Sequence, residues 1–147
     1  LYNIYGHSAG AQFVHRYLLL SNEPKVNTAV AANAGWYTFL DGANFPYGLS
    51  NPPINFESSN VRDFLKMDLH VLIGSADTEI TSSVNQSKGA NNQGLNRFQR
   101  ANNFYNYTER IVKQNNLEFN WSFQIVKGVA HSNSRMSKAA AEIILTN

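Results

Sequence analysis

Gly6-His7-Ser8-Ala9-Gly10 is the segment of this 147-residue chain with the plainest chemical content. It fits G-x-S-x-G, the elbow at which a strand turns sharply into a helix and lifts a serine above a sheet. Leu1–Tyr5 before it reads as a strand, and Phe13, Val14, Tyr17 and Leu18 after it recur at helical spacing. A serine hydroxyl is a poor nucleophile near neutral pH. It requires a base within hydrogen-bond reach, and the base requires an orienting partner. The pattern therefore predicts an acid and a histidine beyond later strands, in the chain order Ser, acid, His. The competing reading is a glycine-rich turn with an incidental serine.

Four histidines are available. His7 is inside the elbow and too near in sequence to turn back on Ser8. His15 lies seven residues along the following helix, about 10 Å away at 1.5 Å per residue. His70 sits at the entry end of its strand. His131 follows the last strand and precedes the last helix, the address that a base needs. Among four aspartates, Asp63 falls in a short helix and Asp68 precedes its strand. Asp77 comes just beyond a strand, in the compact loop Gly74-Ser75-Ala76-Asp77-Thr78, and is preferred. Asp41, in the loop after the second strand, is a competitor, and Glu79 is a weaker one. In acyl-transfer chemistry Ser8 would attack a carbonyl carbon. His131 would take its proton and pass it to the leaving group. Asp77 would hold the imidazole's tautomer. The backbone N–H of Ala9 would be one oxyanion donor.

The elements that must position these groups follow from periodicity and breakers. Strands are expected at Leu1–Tyr5, Val26–Asn33, Leu69–Gly74 and Phe119–Val126. Helices are expected at about 9–20, 61–67 (capped by Ser59 or Asn60), 95–115, and after His131 to near Leu145. Strands alternating with helices predict α/β architecture with a mostly parallel sheet flanked by helices. The small residues Ala29-Val30-Ala31-Ala32 suit a strand buried on both faces. Phe119, Trp121, Phe123 and Ile125 alternate with polar residues, as in a strand with a wetter face, an edge. Gly35 to Asn60 reads as a long irregular loop, and its Phe45–Pro53 part as a static surface loop or a lid. Trp36 and Tyr37 leave the second strand at the active end and are expected either to wall a substrate pocket or to be core. Arg97 and Arg100, with Gln93, read as structural hydrogen-bonders in preference to substrate binding.

Composition removes other classes. Twelve Lys and Arg against ten Asp and Glu leave a net charge of +2, too small and scattered for an electrostatic nucleic-acid binder. Apolar runs are too short to span a membrane. With no cysteine, disulfide scaffolds, Cys-ligated zinc and thiol catalysis are excluded. No His-x-x-x-His pair stands at ligand spacing, so neither metal nor cofactor is expected. Asparagine is abundant, at 20 residues.

Taken together, the sequence resembles the C-terminal half of an α/β-hydrolase, near the bacterial polyhydroxyalkanoate-depolymerase and feruloyl-esterase-like groups. The stretches that carry the likeness are Gly6–Arg16, Ala32–Tyr37, Phe45–Gly48, Gly74–Thr78, Gln93–Arg97 and Gly128–Ser132. The resemblance implies a single hydrolase domain over residues 1–147, with its N-terminal half elsewhere. It implies Ser8, Asp77 and His131 as nucleophile, acid and base acting on a small or polymeric carboxylic ester. The second oxyanion donor would lie in the absent half. The isolated polypeptide is therefore expected to be nearly inactive, and the first strand to pair with the rest of the fold or a second chain. A catalytically dead binding protein and a serine peptidase of the same fold are the alternatives.

Overall fold

The computed structural model of the chain describes residues 1–55 and 57–146. Four strands form one parallel sheet in the order β1 (Tyr2–His7), β2 (Val26–Ala32), β3 (Asp68–Gly74), β4 (Trp121–Val126). Parallel neighbours need crossovers, and helices supply them. α1 (Ala9–Leu20) joins β1 to β2, and α2 (Ser58–Lys66) leads from the long loop into β3. α3 (Lys88–Asn91) and α4 (Arg97–Asn115) lie between β3 and β4, and α5 (Asn133–Thr146) follows β4.

Side-chain alternation along the strands feeds two cores. Ala29, Ala31, Leu69, Val71 and Ile73 face a cluster with Val14, Leu18, Phe64 and Phe104 from α1, α2 and α4. Val30, Ala32 and Leu72 face the other way, onto Met136 and Ala140 of α5. Small residues in β2 let helices approach both faces, as expected of a strand buried twice over.

Several boundaries differ from the sequence reading. β1 runs on through Gly6 and His7, because both still pair with Ala31 and Ala32 of β2. α2 begins at Ser58 rather than Val61: Glu57 is its N-cap, and Asn60 is instead the third helical residue, whose side chain accepts from Glu57 N–H at 3.0 Å. β4 starts at Trp121, not Phe119. The one-turn α3, inside the expected polar loop, is capped by the Ser87 hydroxyl, which accepts from Ala90 N–H at 3.3 Å. The loop expected from Gly35 to Asn60 is irregular until α2 begins, apart from Phe56, which lies outside the described residues. Among the described residues β4 is a sheet edge and Ile125 is 45% exposed, which fits its alternating pattern.

Candidate active site

The turn from β1 into α1 is as sharp as the motif requires. Ser8 has φ 57° and ψ −116°, a positive-φ conformation outside the left-handed helical region that a non-glycine residue rarely adopts. Its N–H donates to Ala32 O at 2.9 Å and its carbonyl accepts from Gln12 N–H at 3.1 Å, so strand and helix pin it from both sides. Gly6 permits this: a Cβ there would lie 2.2 Å from Gly10 O. At Gly10 a Cβ would meet nothing within 4 Å. Among the described residues only the first glycine of the motif is imposed by contact.

The other two groups arrive on loops at the same end of the sheet. Gly74 closes β3 so tightly against the next loop that a Cβ would stand 2.1 Å from Val129 O. Ser75 N–H and Ala76 N–H donate to Val126 O and Val129 O at 3.0 and 2.9 Å, and Ser75 Oγ accepts from Gly128 N–H at 2.8 Å. The loops that carry Asp77 and His131 are thereby laced together. His131 Nδ1–H donates to Asp77 Oδ2 at 2.8 Å, and the Ser8 hydroxyl donates to His131 Nε2 at 3.0 Å. Ser8, Asp77 and His131, spread over 123 residues, thus form one hydrogen-bonded line from hydroxyl to carboxylate.

Asp77 is nearly buried, at 3% exposure. A buried carboxylate requires partners, and Arg97 at the start of α4 provides a second one: Nη1 donates to Asp77 Oδ1 at 3.4 Å and Nη2 to Ser83 Oγ at 3.1 Å. Arg97 is thus a structural hydrogen-bonder, as read from the sequence, and its partner is the candidate acid itself. Arg100 is structural: its guanidinium donates to Gly94 O, Gly35 O and Asn91 Oδ1 at 2.8, 2.9 and 3.0 Å.

The rejected candidates have other duties. Asp41 is away from His131, its carboxylate accepting from Ala43 N–H at 3.0 Å in a local turn. Glu79 lines a cavity of about 290 Å³ beside Asp77 and His131, with Thr81, Ser83 and Arg97. His15 is wholly buried and ties α1 to the loop after β2. His70 lies 3.1 Å from Asp68 at the entry end of β3.

Tyr37 is corrected from possible pocket wall to core: it is fully buried, with its ring stacked 4.4 Å from that of Phe104. The ring packs among His15 and Phe104, while the Gln93 side chain clasps both Tyr37 N–H and C=O at 2.8 and 2.6 Å and fixes its backbone. Trp36 is half-buried between the Arg16 guanidinium, 4.3 Å from its ring, and Tyr47, at 4.9 Å. The cavity of about 560 Å³ between Phe39, Asp41, Tyr47, Lys88 and Tyr107 includes none of Ser8, Asp77 or His131.

Two further residues have places at this site that the sequence reading did not assign. The His7 ring packs 4.6 Å from that of His131. Burial first, and then the neighbouring His131, lower its pKa to about 4. Asn33, fully buried with φ 51°, reaches both His7 and the backbone before His131. An asparagine directly after a run of small strand residues was the available signal, since Asn tolerates the left-handed region.

Two solved structures match nearly the whole chain. Poly(aspartic acid) hydrolase-1 from Sphingomonas sp. KT-1 has a TM-score of 0.89 and 37% identity, over 96% of this chain and 53% of that one. The poly(3-hydroxybutyrate) depolymerase LpqC from Bordetella parapertussis has a TM-score of 0.88 and 32% identity, over 96% of this chain and 47% of that one. The chain carries the C-terminal part of an α/β-hydrolase fold. It resembles depolymerase-like hydrolases of that fold, and spans about half the length of the two structures. Neither a family model nor a curated protein matches it. Among the described residues of this hydrolase fold, no group of three or more His, Asp or Glu is placed to hold a metal. No helix among them is long and apolar enough to cross a membrane.

Proposed function

We propose that this chain supplies the catalytic residues of a serine hydrolase that cleaves carboxylic esters through an acyl-enzyme. The observation that carries the reading is the line Ser8–His131–Asp77, at 3.0 and 2.8 Å, above the carboxyl ends of parallel strands. Ser8 Oγ attacks the ester carbonyl while His131 Nε2 takes its proton. The bond to the leaving alcohol breaks as His131 returns that proton to it. Water then repeats the sequence on the acyl-enzyme and frees Ser8. Asp77 keeps the His131 proton on Nδ1 and offsets the imidazolium charge as it forms. The N–H of Ala9, at the start of α1 where helix donors lack intrahelical acceptors, faces the developing oxyanion.

The second oxyanion donor is proposed to lie outside residues 1–147, on polypeptide that pairs along β1. One donor is worth roughly 3–4 kcal/mol in the transition state, so residues 1–147 alone should turn over slowly. Trp36 remains the proposed substrate contact. The natural ester, small or polymeric, is the finer part of the proposal; the depolymerase resemblance supports a polymeric one.

Amide hydrolysis by the same residues is the second reading, supported by the likeness to a hydrolase of poly(aspartic acid). A chain-length series of nitrophenyl esters and matched nitroanilides, on the complete natural polypeptide and on Ser8→Ala, tests both. Ester turnover that Ser8→Ala abolishes is expected. Equal rates for the two proteins remove Ser8 from the mechanism, and faster nitroanilide turnover favours the amide reading. Failure of a fluorophosphonate to label Ser8 points instead to a binding protein.

A further inference from the structure

His7 lies against the proposed base, yet no step above uses it. Its state follows from hydrogen-bond logic at Asn33. Asn33 Oδ1 accepts from Gly74 N–H at 2.8 Å, and Nδ2 donates to Ala130 O at 3.1 Å. A backbone N–H only donates and a backbone carbonyl only accepts, so these two contacts settle which end of the amide is which. The amide nitrogen is therefore the group 3.3 Å from His7 Nε2. That nitrogen has only hydrogens to offer, so His7 Nε2 is an acceptor and the ring's proton sits on Nδ1. Protonating Nε2 would set donor against donor.

We propose that Asn33 and His7 are positioning residues for the base: the buried amide holds His7 neutral, and the neutral ring packs against the His131 imidazole. The inference rests on the reading of Ser8 and His131 as nucleophile and base. Its chemical content is electrostatic. When His131 takes the Ser8 proton it becomes a cation, and the ring 4.6 Å away must not be one too. A neutral aromatic ring tolerates a neighbouring cation, whereas an imidazolium repels it. The charged and titratable groups that face His7 are His131, Asp77 and Arg97. Asn33 holds three pieces of the site at once: the end of β3 that leads to Asp77, the residue before His131, and the side chain before Ser8. Neither residue touches the reacting carbonyl, so their effect passes through His131.

The test begins on the complete natural polypeptide without substitution. Histidine nitrogen NMR should find His7 neutral, with its proton on Nδ1, from pH 8 to pH 5. A proton on Nε2, or titration near the ordinary value of 6.5, overturns the proposal. Asn33→Asp then replaces the donor facing His7 with a carboxylate oxygen. His7 should acquire a proton that persists above pH 6.5. At pH 6 kcat should fall by about tenfold with KM little changed, the effect of roughly one pK unit of coupling. Adding His7→Phe, which keeps a ring on His131 and cannot be charged, should recover most of the loss. A merely structural role for Asn33 would leave the double variant as slow as the single one, and that result also overturns the proposal. Full activity in Ser8→Ala would instead sink the nucleophile reading while leaving the His7 tautomer as measured.

Discussion

Acidification from pH 7 to pH 5 should weaken the fold through one residue that never touches substrate. His15 is fully buried between Tyr37 and Phe104, with ring centroids 5.4 and 5.7 Å away. Its Nδ1–H donates to Ala11 O at 3.0 Å, and its Nε2 accepts from Thr38 N–H at 3.0 Å. The neutral ring satisfies both contacts; a second ring proton would face the Thr38 N–H. Burial, opposed by the Ala11 bond, lowers its pKa from 6.5 to about 3. The folded value lies below the unfolded one, so the unfolded chain takes up the proton first. The stabilisation is complete above pH 6.5 and is lost as pH falls toward 3. At pH 5 the unfolded state has gained about 1.5 pK units of proton binding that the folded state lacks, or about 2 kcal/mol. Urea unfolding at pH 7, 6 and 5 of the parent and of His15→Gln measures it. The variant should start less stable at pH 7 by about 1–3 kcal/mol, for its poorer fit to Thr38 and Ala11. The gap should shrink by about 2 kcal/mol at pH 5. His7 adds loss in the same direction, but both proteins carry it and its effect cancels. Parallel pH curves for the two would refute the reasoning.

Two further perturbations address the site itself. Arg97→Met removes the cation from a pair whose side chains are 4% and 3% exposed; it should cost about 3 kcal/mol in urea unfolding, because a buried carboxylate is left with one partner fewer. Turnover by that variant should fall as Asp77 loses its anchor, measured with the same nitrophenyl ester. Gly6→Ala places a Cβ 2.2 Å from a backbone oxygen, whereas Gly10→Ala meets nothing within 4 Å. Gly6→Ala should therefore abolish folding or destabilise by at least about 3 kcal/mol, while Gly10→Ala should leave the unfolding midpoint nearly unchanged. Equal midpoints for the two would show that the elbow has more room than this.

What could be read from the string was what repeats or breaks locally. Apolar runs, one clear period-two alternation, helical spacing and breakers placed the strands and the long helices to within a few residues, because such patterns record which sides of an element face a core. Ser8 was legible for a similar reason: the glycine before it, the strand and the helix are all its sequence neighbours. Asp77 and His131 needed one more idea, that loops at the carboxyl ends of parallel strands share a rim. That idea places Asp41 on the rim as well; the compact loop just beyond the strand favoured Asp77, and the coordinates agree by turning the Asp41 carboxylate onto Ala43.

The partners that the sequence did not reveal are contacts long in sequence and short in space. Arg97 meets Asp77 across 20 positions, His15 meets Thr38 across 23, and Asn33 meets Ala130 across 97. None of these partners is specified by a motif; each is specified by a vacancy that the fold creates and one polar side chain fills. Tyr37 shows the same physics in reverse: its ring would have suited a pocket wall, but it stacks on Phe104 in the core, while Gln93, 56 residues away, fixes its backbone. His7 combines both cases. Its place in the motif marks it as a neighbour of the nucleophile, yet its protonation state is set by an amide 26 residues on, whose own orientation is set by two backbone groups further still. A motif can thus identify which atom is to react while the conditions under which it reacts are written in side chains that the motif does not contain.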